Sequence, residues 1–599
     1  MFHAVEDANY ANALRGLDEV DPEDAIPLPP SDFDPNQFVA DTGIDVTLML
    51  SEPLGCYFLH QFFETESYVE HWKEPVGLEA RYEATDALPR ALAGAIVRFH
   101  EALGEYRLDK SPTASLARAL AAGAGAAIAG ADGGKAFADR VGALEGAIAA
   151  AADAGARAAL FDGLAQATRS ALLEAGVFDQ FRQSGKDGWT RYCAIAWYAA
   201  VPAEIRHFTV YREVGIGAFG SVHGASHRVT GKMSAIKKLS RKLVKGKQAK
   251  KLVTSEMMVL KMLGNATSRF VIYSEYAMVD LDYFYFSLPL CVGGDLMYHL
   301  HAPEAEHGGF FSEELSLFYA TEILLGLAHM HALGILYRDV KPENILLDET
   351  GHAKISDMGL CTILEPGKPW KKGRAGTPGY WCPEMLQKKK YSFGCDWWAF
   401  GATVYEFATG VCPFDARNTG CADDAENNMN ARDVGTLQWA ASLPAKAGKN
   451  KAPPSENFAA LVCALMHPDR AQRLGGDKLC NGAPAAAPDA IKAHACFAGV
   501  DWPRAEAGQL APPWVPSPDK INAVDQAQIE QLDRESEYRM LQLTPEDDID
   551  GFRYNNAREH QLRLVRVHHD RATGKLPELK QKAPTGTVVK QSGGGCAVM

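Results

Sequence analysis

Among the twelve cysteines of this 599-residue chain there is no C-x-x-C pair. That absence speaks against a zinc site and against a disulfide framework, so eleven of the thiols are expected to stay reduced in a cytosolic setting. Long apolar runs are missing too. A stretch such as 91–102 is short and is broken by Arg98, so no bilayer-spanning helix is expected and any membrane contact would be peripheral. The opening Met1-Phe2-His3-Ala4 lacks the basic and apolar regions of a secretory leader, and Phe2 excludes N-myristoylation. Positive charge is in deficit, with 61 Lys and Arg against 75 Asp and Glu for a net charge of −14. A nucleic-acid partner is therefore not expected, because such binding neutralises phosphates with Lys and Arg.

What is present has the makeup of a folded protein, 47% hydrophobic and 23% charged, too long for one core and sized for about two to four domains. Residues 1–35 form an acidic arm ending in Pro27-Leu28-Pro29-Pro30. Residues 36–205 carry helical spacing (Tyr57, Phe58, Phe62, Phe63, Tyr68, Trp72) and an Ala/Gly-rich middle in which alanine favours helix and glycine interrupts it. Short β-type runs begin at Phe208, and a mixed region continues to 497. The prolines around Trp514 then mark an extended segment within 498–557, and 558–599 is a polar tail.

Gly215-Ile216-Gly217-Ala218-Phe219-Gly220 is ambiguous by itself, since a dinucleotide-binding turn gives the same spacing. Here a strand, not a helix, follows the glycines. A hairpin of small residues would bring backbone N–H groups close to a triphosphate, with Val222 above the adenine. Ala235 and Lys237 lie on the next β-type run. Lys237 can pair the α- and β-phosphates if a carboxylate holds it, and Glu256 on an amphipathic stretch is the candidate. The basic run 237–251 otherwise reads as a solvated surface.

The string Tyr337-Arg338-Asp339-Val340-Lys341-Pro342-Glu343-Asn344, followed by Asp357-Met358-Gly359, completes a chemical set. Asp339 can orient an attacking hydroxyl, Lys341 can neutralise a transferring phosphoryl group, and Asn344 and Asp357 offer hard oxygen ligands for Mg2+. Phosphoryl transfer has a loose transition state, so positioning and charge stabilisation are what such a set must supply.

On these residues the chain resembles the eukaryotic protein kinases over 206–497, with Tyr337 in place of the usual His and Met358 in place of the usual Phe. Neither departure removes a catalytic group. The resemblance implies an α+β two-lobed kinase fold, ATP as phosphoryl donor and Mg2+ as metal. It also implies an adenine hinge at Leu288-Pro289-Leu290-Cys291, Asp295 near the ribose, and Thr377 linking Asp339 to Lys341. Glu384 and Arg473 should form an ion pair, and the helix containing Asp396 should anchor the catalytic loop. Lys341, two residues after Asp339, is similar to the serine/threonine class.

Finer features resemble the G-protein-coupled receptor kinases, within the group allied to protein kinases A, G and C. They are the non-Phe D-x-G, the 348–357 string and Gly373-Arg374-Ala375-Gly376-Thr377, which lacks an activating threonine. The same resemblance makes 36–205 a separate all-α RGS-homology bundle, through Glu52-Pro53-Leu54-Gly55-Cys56-Tyr57-Phe58 and Gly176-Val177-Phe178-Asp179-Gln180-Phe181. It makes 498–557 the C-terminal extension of the allied kinases, with 519–557 the place to look for a segment returning to the bundle. It makes residues 5–15 a segment that becomes helical on meeting receptor. Cys596-Ala597-Val598-Met599 fits the prenylation rule, implying peripheral attachment to the cytoplasmic face of a membrane. Implied partners are ATP, a protein substrate (an activated seven-helix receptor) and a Gα subunit. The alternatives left open are an allied-group kinase with other substrates and a Gα-binding scaffold.

Overall fold

In the computed structural model the described residues are 189–414 apart from 218, 230, 267, 302–306, 308 and 366, then 454–476, 486–516 and 547–556, with 181–183 and isolated positions elsewhere. The chain enters through α1 (Arg191–Ala200), whose Tyr192 packs with Phe58, Phe181 and Trp189 at ring distances of 5.7–6.0 Å. These aromatics lie inside the segment read as an RGS-homology bundle. Most of that segment, the N-terminal arm and the C-terminal tail with Cys596 lie outside the described residues.

Three antiparallel strands follow, β1 (Phe208–Gly217), β2 (Gly220–His227) and β3 (Met233–Ser240). The β1–β2 pair closes tightly, with Gly217 opposite Gly220. A short α2 (Arg241–Val244) leads into α3 (Lys247–Asn265), which buries Val253, Met257, Val259, Leu260 and Leu263. The β4 (Tyr276–Val279) and β5 (Tyr283–Pro289) strands complete the small lobe, and β5 pairs with β3 so that Phe286 faces Lys237. Pro289 stands at the last position of β5, where a missing N–H interrupts the ladder least.

The large lobe is mainly helical. After α4 (Leu296–His301), α5 (Glu313–Ala332) is buried nearly all round. Ser312 caps it by accepting from the Leu315 N–H at 3.2 Å, and Glu313 and Glu314 sit in its first turn, where the helix dipole favours them. Short strands β6 (Ile335–Leu336), β7 (Ile345–Leu347), β8 (Ala353–Ile355) and β9 (Thr362–Ile363) form two small ladders that present the intervening loops to the cleft. The one-turn α6 (Pro383–Leu386) precedes α7 (Gly394–Thr409), in which every residue is buried. A helix apolar on all sides belongs in a core. It packs on α5 and on α8 (Glu456–Leu465), with α9 (Ala486–Lys492) and α10 (Trp502–Glu506) further along the chain.

The segments beyond 497 return to both lobes. Trp514 packs edge-on against His299 and His307 at 4.8 and 4.7 Å. Residues 547–556 run along the outer edge of the small lobe, where β10 (Tyr554–Asn555) pairs with β4 to give the sheet order β1-β2-β3-β5-β4-β10. Phe552 lies 4.6 and 5.0 Å from Phe284 and Phe286. The basic run that reads in sequence as solvated surface grips this returning chain. Arg241 is buried, donates to the Asp280 and Leu281 carbonyls at 2.9 and 3.1 Å and pairs with Asp548, and Lys245 pairs with Asp547 at 3.3 Å. Asn555 bridges from the sheet edge to the chain leaving α1. Its amide donates to the Val201 carbonyl at 2.9 Å and accepts from the Ala203 N–H at 3.0 Å.

Candidate active site

The cleft between the lobes is built from separate loops on rigid elements. On its small-lobe side, β3 carries Lys237, whose ammonium donates to Glu256 of α3 at 2.6 Å and reaches Asp357 at 3.5 Å. Burial alone would favour the neutral amine, but the two carboxylates raise its pKa above the usual lysine value. The Glu256 side chain is 6% exposed and that of Asp357 54%, so Glu256 serves as the fixed counter-charge while Asp357 faces the open cleft. The nearby Lys237 charge holds the Asp357 carboxyl below the usual carboxylate range. Asp357 has a left-handed backbone (φ 50°) stabilised by the Gly359 N–H, which donates to its side chain at 3.2 Å.

Above Lys237 lies the glycine hairpin. A Cβ on Gly220 would fall 1.9 Å from the Lys238 carbonyl oxygen, so the close approach of β2 to β3 requires glycine there. At Gly215 such a Cβ would meet nothing within 4 Å. Val222 pairs with Gly215 on one side and Lys237 on the other, and Ala235 pairs with Leu288. Ile216 belongs to β1, and Phe219 packs against the main core. Ala218 lies outside the described residues. At the other end of the cleft, Leu290 and Cys291 follow β5, and burial pushes the Cys291 thiol up to about 12. Asp295 accepts from the Tyr298 N–H at 2.7 Å and so caps α4.

On the large-lobe side Asp339 is the hub. Its Oδ1 accepts from the Thr377 N–H and hydroxyl, both at 3.0 Å, and its Oδ2 accepts from the Asn344 amide at 2.9 Å and lies 3.4 Å from the Lys341 ammonium. Lys341 also donates to the Thr377 hydroxyl at 2.8 Å, which closes a ring of three side chains with Asn344 attached at Asp339. Because the Asn344 NH2 group is occupied by Asp339, its amide oxygen is the group left to act as a ligand.

Beneath this ring, Asp396 in the first turn of α7 is fully buried. It accepts from the Tyr337 and Arg338 N–H groups at 2.9 and 2.7 Å, with the His331 ring at 2.8 Å. A carboxylate so buried and so fully hydrogen-bonded fixes the loop that carries Asp339. The Tyr337 hydroxyl donates to the Ser356 carbonyl at 2.5 Å, tying this loop to the residue before Asp357. Met358 is buried with its sulfur 3.5 Å from the Cys361 thiol. The Glu384–Arg473 ion pair is bidentate at 2.6 and 2.9 Å.

Sequence reasoning missed three parts of this assembly. They are the Tyr337 hydroxyl bridge, the His331 contact to Asp396, and Gly376, where a Cβ would sit 2.2 Å from the Arg338 carbonyl oxygen at a φ of +85°. A glycine next to Thr377 was the available signal for the last.

As for metal and nucleotide, Asn344 and Asp357 present hard oxygen donors of the kind Mg2+ takes, though too few to hold it without phosphate oxygens or water. Among the described residues no group of three or more His, Cys, Asp and Glu forms a self-sufficient metal centre. The arrangement fits a metal shared with a bound polyphosphate.

Residues 208–483 match the family described as "Protein kinase domain". The chain is 36% identical over 351 residues to G protein-coupled receptor kinase 1 of Caenorhabditis elegans, a match covering 57% of this chain and 51% of that protein. It is 35% identical over 364 residues to G protein-coupled receptor kinase 2 of Drosophila melanogaster, with 60% and 47% covered. To the human protein named Rhodopsin kinase GRK1 it is 34% identical over 367 residues, with 61% and 60% covered. The chain thus spans about half to three-fifths of the length of these relatives.

Proposed function

We propose, from the premise that residues 208–483 are a protein kinase domain, that the chain transfers the γ-phosphoryl group of ATP to serine and threonine hydroxyls of activated seven-helix receptors. The observation that carries the phosphoryl-transfer reading is the cluster of Asp339, Lys341, Thr377 and Asn344 facing Lys237 and Asp357 across one cleft.

Bound Mg2+ would supply charge neutralisation for the phosphate oxygens, held by Asn344 and Asp357. The chain's own residues do the rest. Lys237, kept cationic by Glu256, binds the α- and β-phosphates, and the Gly215–Gly220 hairpin covers them through backbone N–H groups. Val222, Ala235, Leu288, Leu290 and Cys291 line the adenine end, with Asp295 beside the ribose. Asp339 accepts a hydrogen bond from the acceptor hydroxyl and aims its oxygen at the γ-phosphorus. As that O–P bond forms, the bond to the β-phosphate oxygen breaks, ADP leaves, and the hydroxyl proton passes toward Asp339. Lys341, positioned by Thr377, balances the developing negative charge. Thr377 and Lys341 beside the aspartate support a serine/threonine acceptor.

The receptor as substrate is supported by the names of the relatives and by the departures at Met358 and at 373–377. Attachment to the cytoplasmic face of a membrane through prenylated Cys596, and Gα binding by an RGS-homology segment at 36–205, extend the same reading. The test is transfer of labelled γ-phosphate from Mg·ATP to membranes carrying a seven-helix receptor, with and without agonist, and Asp339→Asn as the blank. Labelling several-fold higher with activated receptor is the expected result. Equal labelling of both states would remove the receptor and leave an allied kinase with other substrates. No labelling of receptor or peptides, with capture of Gα by the chain, would leave a binding scaffold.

A further inference from the structure

A concentration of positive charge lies on the large lobe, away from the nucleotide cleft. Lys372, the 383–390 segment and residues 468–470 line an open cavity of about 690 Å3 on the large lobe, with Lys372, Lys388, Lys389, Lys390 and Arg470 as its cations. Two acidic side chains share the lining, Glu384, whose charge Arg473 matches, and Asp469, whose single charge leaves the five cations well in excess. Both Glu384 oxygens bind Arg473, and the Asp469 oxygens accept from the Ala471 N–H and the Gln472 amide within their own turn. Of the cations, Lys390 sits 4.0 Å over the Trp370 ring, and Arg470 donates to the Lys390 carbonyl at 3.1 Å. Lys372, Lys388 and Lys389 have no acidic, hydrogen-bonding or aromatic side-chain partner among the described residues. Such a concentration in a chain of net charge −14 is a local reversal of sign.

The loop that carries three of these lysines is held in place by its backbone, while the lysine side chains stand exposed. The lysine loop is tied down through the backbone by Lys388 N–H to the Met385 carbonyl at 3.1 Å and Lys389 N–H to the Glu384 carbonyl at 2.8 Å, directly over the buried Glu384–Arg473 pair. Lys388 takes a φ of +53°, a conformation that favours glycine, yet the chain keeps a charged side chain there. Lys372 brings in the segment that leads to Thr377. Lys372 precedes Thr377 by five positions, so at most about 18 Å of chain separates the cavity wall from the hydroxyl bonded to Asp339.

We propose that this cavity binds a phosphate monoester dianion carried on the polypeptide substrate, so that an already phosphorylated residue helps to present the next acceptor hydroxyl. Several converging ammonium groups match the roughly −2 charge and three acceptor oxygens of a phosphorylated side chain better than a single carboxylate. The occupant is a polypeptide rather than a lipid surface because the site is concave and continuous with the segment that holds Thr377. In addition, none of the large exposed hydrophobics, Val210, Met258, Leu281 and Val515, lines it, whereas membrane contacts pair basic with apolar side chains. The proposal rests on the kinase reading for its consequence in catalysis but not for its binding.

Binding is therefore measured first. Fluorescent serine peptides carrying phosphoserine, glutamate or serine four to eight positions to either side of the acceptor are titrated with the full chain by anisotropy, in wild type and in Lys372→Gln/Lys389→Gln. The phosphopeptide should bind roughly tenfold more tightly than its unphosphorylated twin, and the double variant should lose that advantage. The same peptides as substrates should show a matching gain in kcat/KM in wild type, while the unphosphorylated peptide is turned over equally by both proteins. Equal binding of all three peptides overturns the proposal, as does an advantage that survives in the variant or an equal gain from glutamate. If the variant loses only its binding to phosphatidylserine vesicles, the cavity is a membrane contact and the proposal fails. Phosphopeptide binding without transfer to any peptide would instead overturn the kinase reading and leave the site standing.

Discussion

Replacing Gly376 by alanine places one methyl group against the residue on which the whole catalytic ring depends. A Cβ there would lie 2.2 Å from the Arg338 carbonyl oxygen and 3.0 Å from Asp339 Oδ1, at a φ of +85°. The backbone strain alone costs about 1–2 kcal/mol. The clash is with backbone rather than with a flexible side chain, so the 376–377 strand of chain must move. That movement breaks the two hydrogen bonds, at 3.0 Å each, from Thr377 to Asp339, each worth roughly 1.5–3 kcal/mol because the acceptor is charged. A displacement of about 1 Å at such a group costs on the order of a hundredfold in rate, so kcat on a soluble serine peptide should fall about 10²- to 10³-fold. Lys237 and Glu256 are untouched, so KM for ATP should stay within about twofold of wild type.

Gly373 provides the control. It has a comparable φ of +97° but nothing within 4 Å of its added Cβ, so Gly373→Ala carries the strain without the collision. It should lower Tm by a few degrees and leave kcat within about threefold. The assay is steady-state γ-phosphate transfer with both variants side by side, with thermal unfolding recorded on the same preparations. Equal losses of activity in the two variants would refute the argument, as would an unchanged kcat in Gly376→Ala.

Further outcomes follow from the same contacts. Glu256→Gln removes the counter-charge 2.6 Å from Lys237, so KM for ATP should rise at least about tenfold, and nucleotide binding by calorimetry would show whether it does. Phe552→Ala empties a buried position between Phe284 and Phe286 and should destabilise the small lobe by roughly 3–5 kcal/mol in chemical denaturation, whereas less than about 1 kcal/mol would mean that the returning segment is not part of the folded unit. The Glu322 carboxylate, 2.5 Å from the His352 ring, raises the histidine pKa above its usual value. A raised folded-state pKa gives stability that is fully present below the unfolded value near 6.5 and is lost as pH rises through the folded value. The Tm difference between wild type and His352→Gln should accordingly be largest near pH 6 and shrink as the pH rises, and a pH-independent difference would contradict this. Met358→Phe adds volume at a fully buried site beside Cys361 and should cost about 1–3 kcal/mol by thermal unfolding despite restoring the residue usual in protein kinases.

Much of the candidate site was legible in the chain because its groups lie in short strings whose local geometry is self-contained. Asp339, Lys341 and Asn344 fall within six residues, and Asp357, Met358 and Gly359 are consecutive. Pairings across greater distances were legible where the chemistry of a motif or a resemblance called for the partner, the first for Lys237 with Glu256 and the second for Glu384 with Arg473, and in both cases the side chains meet. The basic run 237–251 shows where such reading stops. Nothing in its own sequence distinguishes a solvated lysine from Arg241, which is buried because Asp548, 307 positions away, folds back over it. Likewise the resemblance places a segment returning to the helical region within 519–557, while 547–556 adds a strand to the small-lobe sheet and reaches the chain leaving α1 through Asn555.

The sequence by itself determined which functional groups are available and their order along the chain. A dyad of aspartates, two lysines, an asparagine and a glycine-rich string are covalent facts that any fold must carry, and their spacing is what suggests phosphoryl transfer. Only the tertiary structure decided which of these groups touch, that Asp396 holds the catalytic loop from below, and that Lys372, Lys388, Lys389 and Arg470 share one cavity. The physical reason is that local propensity and hydrophobic periodicity act over a few residues, whereas these contacts close loops of tens to hundreds of residues. They form only when the burial of α5, α7 and the small-lobe sheet has compensated the entropy of closing them.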